Sequence, residues 1–165
     1  MPIEFDITLT SKDMYRFNMY QAYSGFQGWF SVVASIIVFV IAGMRYEELG
    51  TTYTIIYIAL GSILLIYMPV SLYLRSKNAI LASEVLSKPL HYAVGEDGFA
   101  VSQGEASAEL PWTQIYKMVA TKSNVLVYSN RTNAYVIPRE QLGERYAELS
   151  ALAIKKLEKY RVKMK

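Results

Sequence analysis

Residues Trp29–Met44 read WFSVVASIIVFVIAGM, and residues Ile55–Leu74 read IIYIALGSILLIYMPVSLYL. Both stretches are apolar on every side of a helix, and neither contains a charged residue. A helix of about 20 apolar residues crosses a bilayer core. The sequence therefore predicts a hairpin of two transmembrane helices, at about 25–44 and 53–74. A pair of buried core helices is the alternative, but a soluble domain of 165 residues is too small to wrap both.

Basic residues flank this hairpin asymmetrically. Lys12 and Arg16 precede the first helix, and Lys77 follows the second, whereas the connector carries Arg45 beside two glutamates. Cytoplasmic flanks are enriched in Lys and Arg. We therefore expect a multi-pass protein of the cell inner membrane with both termini in the cytoplasm. The residues expected at the membrane interface are Trp29, Tyr53, Tyr73 and Arg75.

Small residues recur on one face of the first apolar helix. Small side chains let helix backbones approach closely in lipid, although chance placement would give the same pattern. The residues expected at the helix contact are Gly28, Ser31, Ser35 and Ala42 on the first helix, with Gly61 and Ser62 on the second. Neither span contains an ionisable Asp, Glu, Lys, Arg or His residue, which argues against a self-contained transporter or pump.

The first ten residues predict a β-strand. Ile3, Phe5 and Ile7 alternate with Glu4 and Asp6, which is the period of a half-buried strand. An isolated strand leaves its edge groups unpaired, so we expect this one to join a sheet formed by the C-terminal part of the chain. The segment 11–75 is assigned to a juxtamembrane helix, with an N-cap at Thr10-Ser11 and Asp13, followed by the hairpin.

The segment 88–165 predicts a small antiparallel sheet capped by a C-terminal helix. Short strands alternate with turn signals such as Gly95-Glu96-Asp97-Gly98 and Asn130-Arg131-Thr132-Asn133. After Pro138 the apolar period changes to three or four, which is typical of an amphipathic helix. Its apolar stripe comprises Leu142, Tyr146, Leu149, Ala153, Leu157 and Tyr160. The fold class is therefore an α+β membrane protein.

No arrangement of residues in the sequence indicates catalysis. The chain has no cysteine, and His91 is its one histidine. The carboxylate pair Glu47-Glu48 is more typical of a solvated loop than of a metal site, which needs converging ligands. We therefore expect no enzyme activity, no catalytic residue, no metal and no cofactor. Neither nucleic acid nor a small-molecule substrate is expected as a partner.

The C-terminal residues 155–165 read KKLEKYRVKMK and carry six basic residues and one acid. Two interpretations are open. The cations are either a solvated helix end, where positive charge is favourable, or a contact with anionic lipid headgroups on the cytoplasmic side. The residues of the possible lipid contact are Lys155, Lys156, Lys159 and Arg161.

The order of these elements resembles the bacterial YcxB-like proteins. The residues that carry the resemblance are Tyr92 with Glu96-Asp97-Gly98, Ser107–Trp112 followed by Ile115 and Lys117, Val125–Tyr128, and Val136-Ile137-Pro138-Arg139. The resemblance implies a pleckstrin-homology-like (PH-like) domain over 88–165. It implies that Trp112 is a core ring and that Pro138 ends the last strand, and we also place Leu149 in the domain core. It supplies no catalytic residues.

The function expected from these observations is that of a non-enzymatic, membrane-anchored interaction or regulatory protein. It would present a cytoplasmic PH-like domain to a protein partner or a membrane complex, or would self-associate. Two alternatives remain open: an anionic-lipid-binding module that uses the basic C-terminal residues, and an accessory or immunity-type subunit of a transporter.

Overall fold

The structure is a computed structural model that describes residues 2–164, with the backbone alone at Gln27. Two residues, Met1 and Lys165, lie outside the described residues. Met1 belongs to the predicted N-terminal strand segment, and Lys165 belongs to the predicted C-terminal domain. The described chain is an α+β protein, as the sequence predicts, with helices in its first half and mostly strands in its second.

The chain divides into two compact units. The helical unit comprises Asn18–Arg75, and the sheet unit combines residues 2–17 with residues 76–164. The helices are α1 (Ser11–Ser24), α2 (Phe26–Met44), α3 (Tyr46–Ala82), α4 (Glu84–Ser87), α5 (Arg139–Leu142) and α6 (Arg145–Lys156). The division between the units falls within α1 and within α3.

Helix α3 is longer than the predicted span of 53–74. It continues through Pro69 to Ala82, and it begins at Tyr46, so most of the predicted connector is helical. The backbone breaks at Gly50 (φ 68°, ψ 174°), a conformation that glycine adopts without a steric penalty. The connector was taken for a loop because it is polar, but Glu and Leu are good helix formers.

Two four-stranded sheets form the sheet unit among the described residues. The strands are β1 (Ile3–Ile7), β2 (Leu90–Val94), β3 (Gly98–Gln103), β4 (Ala106–Pro111), β5 (Lys117–Ala120), β6 (Asn124–Tyr128), β7 (Ala134–Pro138) and β8 (Val162–Lys163). Sheet A has the order β1-β2-β3-β4 and is antiparallel throughout. Sheet B has the order β7-β6-β5-β8, and β8 lies parallel to β5. Sheet B is therefore mixed, where a purely antiparallel sheet was expected.

The N-terminal strand joins the sheet as the sequence predicts. Strand β1 pairs antiparallel with β2, with Ile3 opposite Val94 and Ile7 opposite Leu90. The side chains of Phe5 and Ile7 are buried, and helices α5 and α6 both contact β1. The strand therefore closes one side of the core, although some eighty residues separate it from its partner in the chain.

A capping box begins helix α1, as the pattern at Thr10 and Asp13 predicts. The Thr10 hydroxyl donates to the Asp13 carboxylate at 2.5 Å, and the Asp13 amide donates to the Thr10 hydroxyl at 3.3 Å. The buried amide of Asn124, at the start of β6, donates to the Asp13 carbonyl at 3.1 Å. Sheet B thereby holds the first turn of α1.

The predicted C-terminal helix is interrupted and shorter than its apolar stripe. It breaks at Gly143, whose φ is 54°, and α6 ends at Lys156. Leu157 is buried beyond the helix end, and Tyr160 is 76% exposed in a short 3-10 turn. The chain leaves the helical path because Val162–Lys163 pairs with β5, which a helix through Tyr160 would not allow.

The three residues expected in the domain core are all buried: Trp112, Pro138 and Leu149. The indole N–H of Trp112 donates to the Gly95 carbonyl at 3.0 Å, and its ring meets Phe99 edge-on at 5.3 Å. Trp112 follows strand β4 directly and begins a 3-10 turn (Trp112–Gln114). From there it ties the β2–β3 hairpin to the core.

Gly98 is expected to tolerate no side chain. A Cβ at this position would lie 2.3 Å from the Leu110 carbonyl oxygen and 2.7 Å from the Pro111 Cα. Gly98→Ala should therefore lower the free energy of unfolding by roughly 2 kcal/mol, because the paired strand must shift. Gly95→Ala, at the other end of the same hairpin turn, is the control, since nothing lies within 4 Å of its Cβ. Thermal unfolding of both variants in detergent checks the difference, and equal stability would contradict it.

Candidate functional site

The helical unit has an apolar surface that its own packing leaves uncovered. In the most apolar 18-residue window of α3, 6% of the residues are buried. Large side chains such as Phe30, Ile37 and Ile63 are each more than half exposed. Helix α3 is long and apolar enough to cross a membrane. Helix α1 and residues 28–44 meet the same criterion of length and apolar composition only when they are counted as one span. The two helices are bent by 69° relative to each other at the short break between them.

Two of the six expected packing residues come together between α2 and α3. The Ser35 hydroxyl is fully buried and donates to the Gly61 carbonyl at 2.7 Å. The Phe39 ring covers Gly61 so closely that a Cβ there would lie 2.6 Å from it. Because Gly61 has no side chain, α2 approaches the α3 backbone at this point.

The other four expected packing residues make different contacts. Gly28 packs against the end of α1, where a Cβ would lie 2.8 Å from the Ala22 carbonyl oxygen. The Ser31 and Ser62 hydroxyls donate to carbonyls of their own helices, and Ala42 is buried. The contact between α2 and α3 is therefore narrower than the predicted stripe of small residues.

The four expected interface residues are exposed in the structure: Trp29, Tyr53, Tyr73 and Arg75. Trp29 lies near the start of α2, where its indole N–H donates to the Tyr23 carbonyl at 3.1 Å. Tyr73 and Arg75 lie inside α3, because that helix continues to Ala82. They mark the end of the apolar part of α3 and not the end of the helix.

The basic C-terminal residues divide into two groups. Lys156 forms an ion pair with Glu96, and the Arg161 guanidinium donates to the carbonyls of Ile115 and Tyr116, the latter at 3.1 Å. These two cations hold the segment against the sheet unit. Lys155 and Lys159 are exposed, and they remain accessible to an anionic surface.

The ion pair of Lys156 predicts a small pH dependence of stability. The hydrogen bond and charge of Lys156, with the charge of Lys155, lower the pKa of Glu96 below its ordinary value. A carboxylate whose pKa falls on folding stabilises the fold above its ordinary pKa, and this is lost as the pH falls through the lowered pKa. Glu96→Gln should therefore be slightly less stable than the parent at pH 7. The difference should vanish in strong acid, and a pH-independent difference in thermal midpoint would contradict this.

The ionisable residues do not converge on a catalytic or metal-binding arrangement within residues 2–164. His91 lies opposite Asp6 on β2 and β1, with its Nδ1 2.7 Å from the Asp6 carboxylate, and both side chains are largely exposed. Glu47 and Glu48 lie in the first turn of α3. In this part of the chain no three His, Cys, Asp or Glu residues are grouped so that they could hold a metal ion.

A cleft in the sheet unit was not anticipated from the sequence. It lies between sheet A and strand β7 of sheet B, has a volume of about 410 Å³, and is mostly apolar. Ala106 and Ala108 of β4 line it, opposite the larger side chains of β3. Both alanines are exposed, so the cleft is open along this edge strand, and two small residues on one face of β4 are the one sequence signal for such a gap.

The comparisons with known proteins give one match. Residues 94–153, from the end of β2 into α6, match the family model described as YcxB-like protein. No curated protein and no solved structure gives a significant match to the chain. The matched segment contains Trp112, Pro138 and Leu149, the residues that we placed in the domain core. The resemblance to this family that the sequence suggested is thus confirmed for residues 94–153, the segment that the family model matches.

Proposed function

We propose that this chain is a non-enzymatic, multi-pass protein of the cell inner membrane that presents its sheet unit to a protein partner or a membrane complex. The observation that carries the proposal is the continuity of α3. This helix contains the apolar window and continues past Arg75 into the sheet unit, whose second segment begins at Ser76. A partner-binding domain would in this way be tethered close to the bilayer surface.

The architecture of the sheet unit supports its interpretation as a PH-like domain. It has two four-stranded sheets and a terminal amphipathic helix whose Leu149 and Ala153 are buried. That is the arrangement expected from the family resemblance. Since fold alone does not determine function, the proposal of a protein partner rests on the membrane tether and not on the domain type. An accessory or immunity-type subunit of a transporter is one form of the same proposal.

Binding of anionic lipid by the basic residues is a weaker proposal. Lys156 and Arg161 already make contacts within the sheet unit. Of the four predicted contact residues, the exposed cations that remain are Lys155, in the last turn of α6, and Lys159, in the 3-10 turn that follows, and each contributes roughly 1 kcal/mol near an anionic surface. Flotation of the full chain in neutral and anionic vesicles, with and without Lys155→Gln and Lys159→Gln, tests it.

The membrane topology can be tested directly because the natural chain has no cysteine. Single cysteines at Glu47 and at Lys122 mark the start of α3 and the sheet unit. In intact cells of a bacterial host, a membrane-impermeant maleimide should label the cysteine at position 47 and not the one at position 122. Labelling of both positions, or of position 122 alone, would contradict the proposed orientation.

The proposed partner is tested by purification at native expression level in a mild detergent or in lipid nanodiscs. We expect an assembly of defined mass, either heteromeric or made of several copies of this chain. Mass spectrometry identifies its components. A strictly monomeric particle with no co-purifying protein would contradict the proposal.

A further inference from the structure

The cleft between sheet A and β7 is a built recess of the sheet unit. Its walls are β2, β3 and β4 on one side, β7 on the other, and α4 at the end. The side-chain amide of Gln103 fixes α4 in place by donating to the Val85 carbonyl at 2.8 Å. An engineered apolar cavity of about 150 Å³ holds benzene. On that scale, 410 Å³ holds a molecule of roughly 16 non-hydrogen atoms.

The lining of the cleft determines what kind of molecule fits. All of the residues that line it are uncharged, and most are apolar, such as Leu90, Val101 and Val136. A charged group brought into this recess would lose its hydration without gaining a partner of opposite charge. The lining therefore selects against fatty acids, phospholipid headgroups and charged peptides, and it favours a neutral aliphatic molecule.

The most deeply buried polar side chain in the lining is Tyr92. Tyr92 is 1% exposed, its ring stacks on Phe5 at 5.4 Å, and its hydroxyl makes no hydrogen bond within residues 2–164. A molecule in the cleft that accepts a hydrogen bond would give this hydroxyl a partner. Burial, with a smaller effect of the neighbouring Tyr135, raises the pKa of Tyr92. The phenol therefore stays protonated and available as a donor.

We propose that this cleft binds a neutral, single-chain lipid of the membrane, whose hydroxyl or carbonyl oxygen accepts a hydrogen bond from Tyr92. We infer that the lipid comes from the membrane, because α4 forms one wall of the cleft and is separated from α3 in the chain by a single residue, Ser83. This inference goes beyond the proposed interaction function, and it departs from the expectation that no small molecule is involved. Binding of a lipid here does not require a protein partner.

The test uses the full chain in lipid nanodiscs and a dodecanol that carries a photoreactive diazirine. Photolabelling, mapped by mass spectrometry, should be saturable on β3 and β4 and should be competed by unlabelled 1-dodecanol. Dodecanoate, which is charged, should compete at least tenfold more weakly. Labelling of α2 and α3 from the bilayer should not saturate, and it serves as the internal reference. Non-saturable labelling of β3 and β4 would overturn the proposal.

Two matched alanine variants show whether the cleft itself is the site. Ala108 lines the cleft, whereas Ala100 on the paired strand β3 lies on the opposite face of sheet A. Ala108→Phe should remove saturable labelling, and Ala100→Phe should retain it. If both variants bind like the parent chain, the lipid is not in the cleft and the proposal fails.

Removing the Tyr92 hydroxyl tests the hydrogen bond. Tyr92→Phe keeps the ring and should weaken competition by 1-dodecanol roughly fivefold, the typical effect of one hydrogen bond. Competition by dodecane, which has no oxygen, should not change. Equal affinity of the variant and the parent for 1-dodecanol would overturn the assignment of Tyr92. If an added apolar peptide, and not 1-dodecanol, competes with photolabelling of β3 and β4, the peptide adds as a strand to the free edge of β4. That result would overturn the lipid proposal.

Discussion

Two arginines in the middle of α3 are expected to prevent the chain from folding in the membrane. Ile63 and Ile66 lie within the predicted span and are 63% and 55% exposed, so in a bilayer they would face lipid. Each arginine at the centre of a membrane helix costs roughly 2.5–3.5 kcal/mol on insertion scales. The variant Ile63→Arg with Ile66→Arg should therefore lose more than nine-tenths of the folded, membrane-embedded protein. Carbonate extraction followed by size-exclusion chromatography in detergent measures this.

The same helix offers a control with the same charges and spacing. Asn78→Arg with Leu81→Arg introduces two arginines three residues apart, beyond the apolar part of α3. Leu81 is 74% exposed, so these side chains displace no core packing. This variant should reach the membrane at the level of the parent chain. If both pairs of arginines behave alike, α3 does not cross the bilayer at residues 53–74.

The fold of the sheet unit was largely predictable because local patterns are strong there. Strand β1 alternates apolar and charged residues, and the hairpin at Gly95–Gly98 follows from its turn residues. That β1 joins the C-terminal sheet followed from one physical requirement, that a strand edge needs a partner, but the requirement did not identify β2 as that partner.

The parts that escaped prediction depend on contacts distant in the chain. Strand β8 has two residues, which is too short for any period to show, and it exists because β5 offers a free edge. The break at Gly143 falls inside an unbroken apolar stripe. The cleft beside Tyr92 depends on the spacing of two sheets, and the sequence of neither sheet specifies that spacing. Ser35 and Gly61 were among the six predicted packing residues, but the sequence did not indicate that these two would be the pair in contact.

Ile7→Asp is expected to unfold the sheet unit, because this side chain is fully buried at the end of β1. Losing a buried aliphatic side chain costs about 2–5 kcal/mol, and a carboxyl group in its place adds the cost of an unpaired polar atom. The sum approaches the whole stability of an ordinary domain, roughly 5–15 kcal/mol. We expect the fluorescence transition of Trp112 to be lost. A Trp29→Phe background makes Trp112 the one reporter, since the chain has two tryptophans.

The neighbouring substitution Thr8→Asp is the control, since Thr8 is exposed and continues the outward series of Glu4 and Asp6. It adds the same charge one residue away and should leave the Trp112 transition within a few degrees of the parent. The pair of variants also bears on topology. Strand β1 precedes the apolar helices and β2 follows them, so a β1 that stabilises the sheet unit must lie on the same side of the membrane. If Ile7→Asp unfolds no more readily than Thr8→Asp, β1 does not contribute to the core and the two ends need not share a side.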